Sequence, residues 1–209
     1  MKIKEFVKRY GTPFSRMLGI DLSSGRSEEL AKWFLASILY SKPIRESSAA
    51  STYESFESYG ILTADSIVEA GWDELVRILD EGGYVRYDFS TATKLLEVFE
   101  TLKRDYGSDL WNLYNASKDS SDLERRLKAL GKGIGDTTVS IFLREMREIW
   151  PKADPQPTQL VKMAMKRLGI GDLKIFAKER GLDLIRFETA LLRLGKDYLK
   201  KGKDIEIQL

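Results

Sequence analysis

The sequence predicts an all-α fold. Apolar residues recur at three- and four-residue spacing along most of the chain, alternating β-branched runs are nearly absent, and prolines number only five. The elements follow in order. Ser27 to Ser41 sets Leu30, Phe34 and Ile38 on one stripe, with Glu28 and Glu29 in the first turn. Ser47 to Ser58 predicts a short helix stopped by Gly60. Thr63 is placed to cap Ser66–Ala70, which Gly71 ends. Asp73 to Asp80 carries Leu75, Val76 and Leu79 and stops at Gly82-Gly83. Ser90 to Tyr106 puts Leu95, Val98, Phe99 and Leu102 on one face, with Gly107 after it. Asp122 to Leu130 presents Leu123, Leu127 and Leu130, and Asp136 to Trp150 presents Val139, Phe142, Leu143 and Met146. Gln159–Leu168, Gly171–Arg180 and Ile185–Lys200 complete the set. The tail Ile205–Leu209 alternates, which at a terminus is little evidence for a strand.

This pattern predicts a central helical block over 27–148. Residues 1–26 and 149–209 are expected to pack together as a second lobe, with a ligand cleft between the two.

Composition excludes several chemistries. There is no cysteine and no histidine. Disulfides, thiolate nucleophiles, iron–sulfur clusters, Ser-His-Asp catalysis and imidazole acid–base chemistry are therefore all absent. Any proton transfer falls to Asp, Glu, Lys or Tyr. Net charge is +2, from 34 Lys plus Arg against 32 Asp plus Glu, so nucleic-acid binding requires the cations to gather locally. No apolar run is long enough to span a membrane and Met1–Glu5 begins no signal peptide, which predicts a cytoplasmic protein. High charge with two asparagines, Asn112 and Asn115, fits a thermophile.

The most telling stretch is Leu130-Gly-Lys-Gly-Ile-Gly-Asp-Thr-Thr-Val139. A helical pattern ends at Gly133-Ile134-Gly135 and another begins at once, the signature of a helix-hairpin-helix over 122–148. Both glycines are expected to turn with positive φ and to let a partner approach. Freed N–H groups at the start of the second helix, Lys132 beside them and the hydroxyls of Thr137 and Thr138 would together hold a DNA phosphate. A tight helix connection with no ligand accounts for the same residues. Downstream, Asp154 precedes Pro155 in Trp150-Pro-Lys-Ala-Asp-Pro155. Asp-Pro is a good helix start, and it is equally a carboxylate able to act on a sugar.

Gly133–Val139, the leucine helix before it and the Ala-Asp-Pro after it resemble the helix-hairpin-helix DNA glycosylases, the superfamily that includes endonuclease III. The likeness covers most of 27–170. It implies a two-lobe enzyme with a helical barrel over 27–148, which flips a damaged or mismatched base from duplex DNA and cuts its N-glycosidic bond. Gly133 and Gly135 match the hairpin glycines, and Asp154 matches the catalytic aspartate, here in Asp-Pro-Gln-Pro rather than the usual Asp-Thr-His. Thr137 stands where bifunctional members carry the Schiff-base lysine, so the resemblance implies a monofunctional enzyme without efficient strand cleavage. The iron–sulfur loop of endonuclease III is missing, and the helices after residue 170 are expected to take over its structural work.

A flipped base leaves a gap that a wedge residue fills. Lys42, after the helix 27–41, is the leading candidate, with Tyr40 and Ile44 as alternatives. The loop Gly82-Gly-Tyr-Val-Arg-Tyr-Asp-Phe89 offers Tyr84 or Tyr87 for stacking and Arg86 or Asp88 for polar reading of a base. The same aromatics also suit packing beneath the loop. Lys196, Lys200, Lys201 and Lys203 could track phosphates, but a solvated helix end is the preferred reading. The expected cofactors are none, with a monovalent cation at the hairpin left open. The expected partner of this monomer is damaged double-stranded DNA, and membranes are not expected. Three functions stay open: a monofunctional glycosylase, a non-catalytic DNA-binding module, and a lyase using a displaced lysine such as Lys132. An RNA-directed role is open as well.

Overall fold

A computed structural model describes all residues, 1–209, and it is all-α. In chain order the helices are α1 (Ile3–Tyr10), α2 (Phe14–Met17), α3 (Ser27–Tyr40), α4 (Glu46–Ser58), α5 (Ala64–Glu81) and α6 (Asp88–Tyr106). Then come α7 (Leu110–Ala116), α8 (Ser120–Lys128), α9 (Asp136–Met146), α10 (Gln159–Leu168), α11 (Leu173–Glu179) and α12 (Leu184–Arg193). The only β pairing is one parallel bridge, Lys2 to Gln208. No helix is long and apolar enough to cross a membrane.

The chain divides into two compact units: Leu18–Pro155, and Met1–Met17 with Gln156–Leu209. The boundaries fall at 18 and 155, where the sequence pattern put them at 27 and 148, because Leu22 and the segment Trp150–Pro155 belong to the central core.

In the unit Leu18–Pro155, α3 is the central rod. Its Leu30, Trp33, Phe34, Leu35, Ile38 and Leu39 are all buried, so it is covered on every side rather than along one stripe. Phe34 lies edge-on to Phe99 of α6 and Phe142 of α9, at 5.9 and 5.1 Å between centroids. The indole of Trp33 donates to the Phe142 carbonyl at 3.1 Å, which ties α3 to α9. Buried Glu29 accepts from the Asp21 N–H and from Lys32, both at 2.7 Å, and this fixes the approach to α3. The two short helices predicted over 66–80 run on as α5 with a break at Gly71, whose φ of 73° and ψ of 175° require a residue without Cβ. Thr63 caps α5 as expected, and its hydroxyl and that of Ser66 form a reciprocal capping box. Helix α7 was not legible in the sequence. It is a single short segment held by buried Leu110 and Leu113 and by an Asp109 cap on the Trp111 N–H.

The second unit joins the two ends of the chain. Ile3, Phe6 and Val7 of α1 share one core with Val161, Ala164 and Met165 of α10 and Phe187, Ala190 and Leu191 of α12. Arg193 donates to the carbonyls of Tyr10 and Thr12 at 2.6 and 2.8 Å, and so closes the end of α1. The predicted helix 185–200 ends earlier. After Arg193 the chain widens into a π turn, Leu194–Tyr198, where Gly195 passes so close to the Leu160 carbonyl that any Cβ would collide with it.

Candidate nucleic-acid interface

The glycine turn is seated on α6. A Cβ at Gly131 would fall 2.7 Å from Val98 Cγ2, and the Lys132 N–H donates to Glu97 Oε1 at 3.0 Å. Inside the turn, Ile134 is buried and its N–H donates to the Gly131 carbonyl at 3.2 Å. Anchored from below, the turn leaves Lys132, Gly133, Gly135, Asp136 and Thr137 exposed.

The two glycines do different work. Gly133 takes φ of 94°, as the sequence suggests. Gly135 does not; at φ −104° and ψ −172° it is extended backbone at the N-cap of α9. Its lack of a side chain matters there, because α9 begins with no side-chain cap. The first amides of an uncapped helix have no intrahelical acceptor, and the helix dipole adds positive potential. Thr137 presents its hydroxyl at this end, whereas Thr138 is buried and faces the core. Asp136, also exposed, is drawn to Lys128 Nζ at 2.5 Å.

Beside the turn the structure gathers cations that are far apart in sequence. A Cβ on Gly133 would overlap Cε and Nζ of Lys94, so the lysine end lies directly against the glycine. Lys42, from the loop after α3, lies close enough to Lys94 for its charge to act on the amine. Burial, then the Lys42 ammonium, pulls the Lys94 amine down to about 8. Lys42 Nζ also lies 5.5 Å from the centre of the Tyr87 ring, and Arg86 lies 5.8 Å from it. Lys42, Arg86, Tyr87 and the Gly133 turn therefore form one cluster, with Lys94 at its centre.

Tyr84 does not belong to that cluster. It is 1% exposed, and its hydroxyl donates to the Leu39 carbonyl at 2.6 Å. It plugs the core under the loop, so of the two tyrosines only Tyr87 is open to a base. Asp88 starts α6, and its carboxylate accepts the Phe89 N–H at 2.6 Å. Exposed Phe89 at the start of α6 stacks on Trp72 of α5 at 5.5 Å and 27°, an aromatic face to which Trp72 contributes without any sequence cue.

Asp154 is half-buried on a segment pinned at three points. Trp150 is fully buried and stacks on Tyr114 at 4.9 Å, against Phe142 of α9 at 5.5 Å. Lys152 Nζ donates to the carbonyls of Tyr114 and Ser117, both at 2.6 Å. Arg147 donates to the Pro155 carbonyl at 3.0 Å. Asp154 is not the N-cap of α10; that residue is Thr158, whose hydroxyl accepts from the Val161 N–H. The helix-start role that Asp-Pro suggested is thus filled elsewhere. No group of three or more His, Cys, Asp or Glu is placed to hold a metal ion, and with no cysteine the chain has no ligand for an iron–sulfur cluster.

Compared with family profiles, curated proteins and solved structures, the chain matches none of them.

Proposed function

We propose that this chain is a DNA N-glycosylase of the helix-hairpin-helix kind, excising a damaged or mismatched base by hydrolysis. In this reading α8, the glycine turn and α9 are the hairpin, and the unit Leu18–Pro155 is the barrel lobe that carries it. The observation that carries the proposal is the uncapped start of α9, opening at exposed Gly133 and Gly135 with Lys42, Lys94 and Lys132 beside it. Backbone amides and cations in that arrangement favour a phosphodiester and read no sequence. A strand gripped there brings its sugars and bases toward Tyr87, on the neighbouring loop, and the Trp72–Phe89 pair of α5 and α6, which offer aromatic faces for unstacked bases.

Flipping the target nucleotide costs a few kcal/mol of stacking and pairing, least at a damaged or mismatched base. The wedge comes from the loop after α3, at Ile44, since Lys42 is already engaged beside Lys94 and Tyr87. The C1′–N bond then breaks as positive charge builds on the deoxyribose, water forms the new C1′–O bond, and its proton leaves with the base. The Asp154 carboxylate stabilises the cation and orients the water. A fixed charge does this better than a mobile one, because it needs no reorganisation as the reaction proceeds. The anchoring of Trp150, Lys152 and Pro155 supplies that fixity. Thr137 has no amine, so position 137 contributes a hydroxyl to phosphate binding and no Schiff base.

The test is a panel of duplexes, each with one modified or mismatched base, treated with protein and then hot alkali to reveal abasic sites. Cleavage on at least one duplex is expected. Asp154→Asn is expected to lower the excision rate at least about a hundredfold with duplex affinity kept. Tight binding with no excision on any duplex would leave a non-catalytic DNA-binding protein instead.

A further inference from the structure

Lys42 and Lys94 are pressed together in a way that costs free energy unless something negative joins them. Both side chains are long and flexible enough to part. Instead Lys94 is laid into the recess left by the absent Cβ of Gly133, with Lys42, which also lies over the Tyr87 ring, close by and no carboxylate paired with either amine. The charged and titratable groups around it come from three elements. Lys42 comes from the loop after α3, and Arg86 and Tyr87 from the loop before α6. From the turn comes Lys132, whose N–H already takes up Glu97 Oε1 of α6.

We propose that Lys42 and Lys94 clasp one phosphate of a nucleic-acid strand beside the Gly133 turn, and that Lys94 takes up a proton as the strand binds. This rests on the DNA-binding reading above and adds to it the pair of amines that closes on the phosphate, and a pH dependence. With its amine held at about 8, Lys94 is largely neutral in mildly alkaline solution. A phosphodiester between the two amines stabilises both as cations, so binding at alkaline pH draws a proton from solvent.

Affinity for a short unmodified duplex, measured by fluorescence anisotropy at constant low ionic strength, tests this without requiring excision. The wild-type protein is expected to bind about tenfold more weakly at about pH 9 than at about pH 7. Lys94→Met removes that fall. Lys94→Arg, charged throughout the range, also removes it but retains the neutral-pH affinity. Lys42→Met returns the Lys94 amine toward the ordinary lysine range and shrinks the fall. Lys132→Met weakens binding but leaves the fall in place. A wild-type protein whose affinity is flat with pH, or a fall that survives in Lys94→Met, overturns the assignment. So does a borohydride-trapped adduct between Lys94 and an abasic duplex, which would make the amine a nucleophile instead. Excision with a flat pH profile sinks this inference alone. A pH-dependent grip with no excision sinks the glycosylase reading alone, and absence of duplex binding at every pH sinks both.

Discussion

At the scale of single residues, Gly133 meets two requirements at once. Its φ of 94° is one that L side chains rarely adopt, and its missing Cβ makes room for the Lys94 amine. Gly133→Ala should therefore cost about 1–2 kcal/mol from the backbone alone. It should also displace Lys94 and weaken duplex binding. A thermal melt and an anisotropy titration check both effects, and unchanged affinity would separate the turn from nucleic acid. Tyr84 makes the opposite case. Its place in the loop invites a base-stacking role, yet its hydroxyl is spent on the Leu39 carbonyl in the core. Tyr84→Phe is expected to cost about 1 kcal/mol of stability, with the excision rate on any confirmed duplex unchanged. Its pattern in the sequence does not differ from that of Tyr87. What separates them is which one the turn of chain beneath the loop buries.

At the scale of elements, the approach to α3 is held by a buried carboxylate. Burial pushes the Glu29 carboxyl up, but the Lys32 ammonium and the Asp21 N–H outweigh it and hold the group below the usual carboxylate range. The folded state thus binds fewer protons than the unfolded state in acid. This contribution to stability is present at neutral pH and is lost as pH falls through the carboxylate range. Glu29→Gln should lower stability at neutral pH, and the gap to wild type should narrow from about pH 7 to about pH 3. Denaturant titrations at the two pH values would reveal a constant gap if the carboxylate were not the cause. The long helices were legible because each carries its own periodic apolar face and stop signal, as α6 does with Leu95, Val98, Phe99, Leu102 and Gly107. Helix α7 was not, since a short segment rich in polar and aromatic residues is helical mainly because Trp111 and Tyr114 pack on Trp150.

At the scale of the whole molecule, the ends of the chain are interdependent. Residues Ile3, Phe6 and Val7 complete a core otherwise built after residue 156, and Ile3 N–H donates to the Gln208 carbonyl at 2.9 Å. Removing residues 1–17 should expose apolar faces of α10 and α12, seen as dye binding and loss of helical signal from the C-terminal segment. Retention of a protease-resistant fragment 156–209 would refute that dependence. By itself the sequence determined the all-α class, most helix positions, the glycine turn and Asp154 as the candidate carboxylate, because helix period, caps and turn residues act within a few positions of one another. Only the tertiary structure decided that Lys94 meets Lys42 at the turn, that Thr138, Ile134 and Tyr84 face inward, and that Gly135 is extended. Burial and the field from a neighbouring charge depend on distances in space, and residues 42, 94 and 133 are neighbours only once the chain has folded.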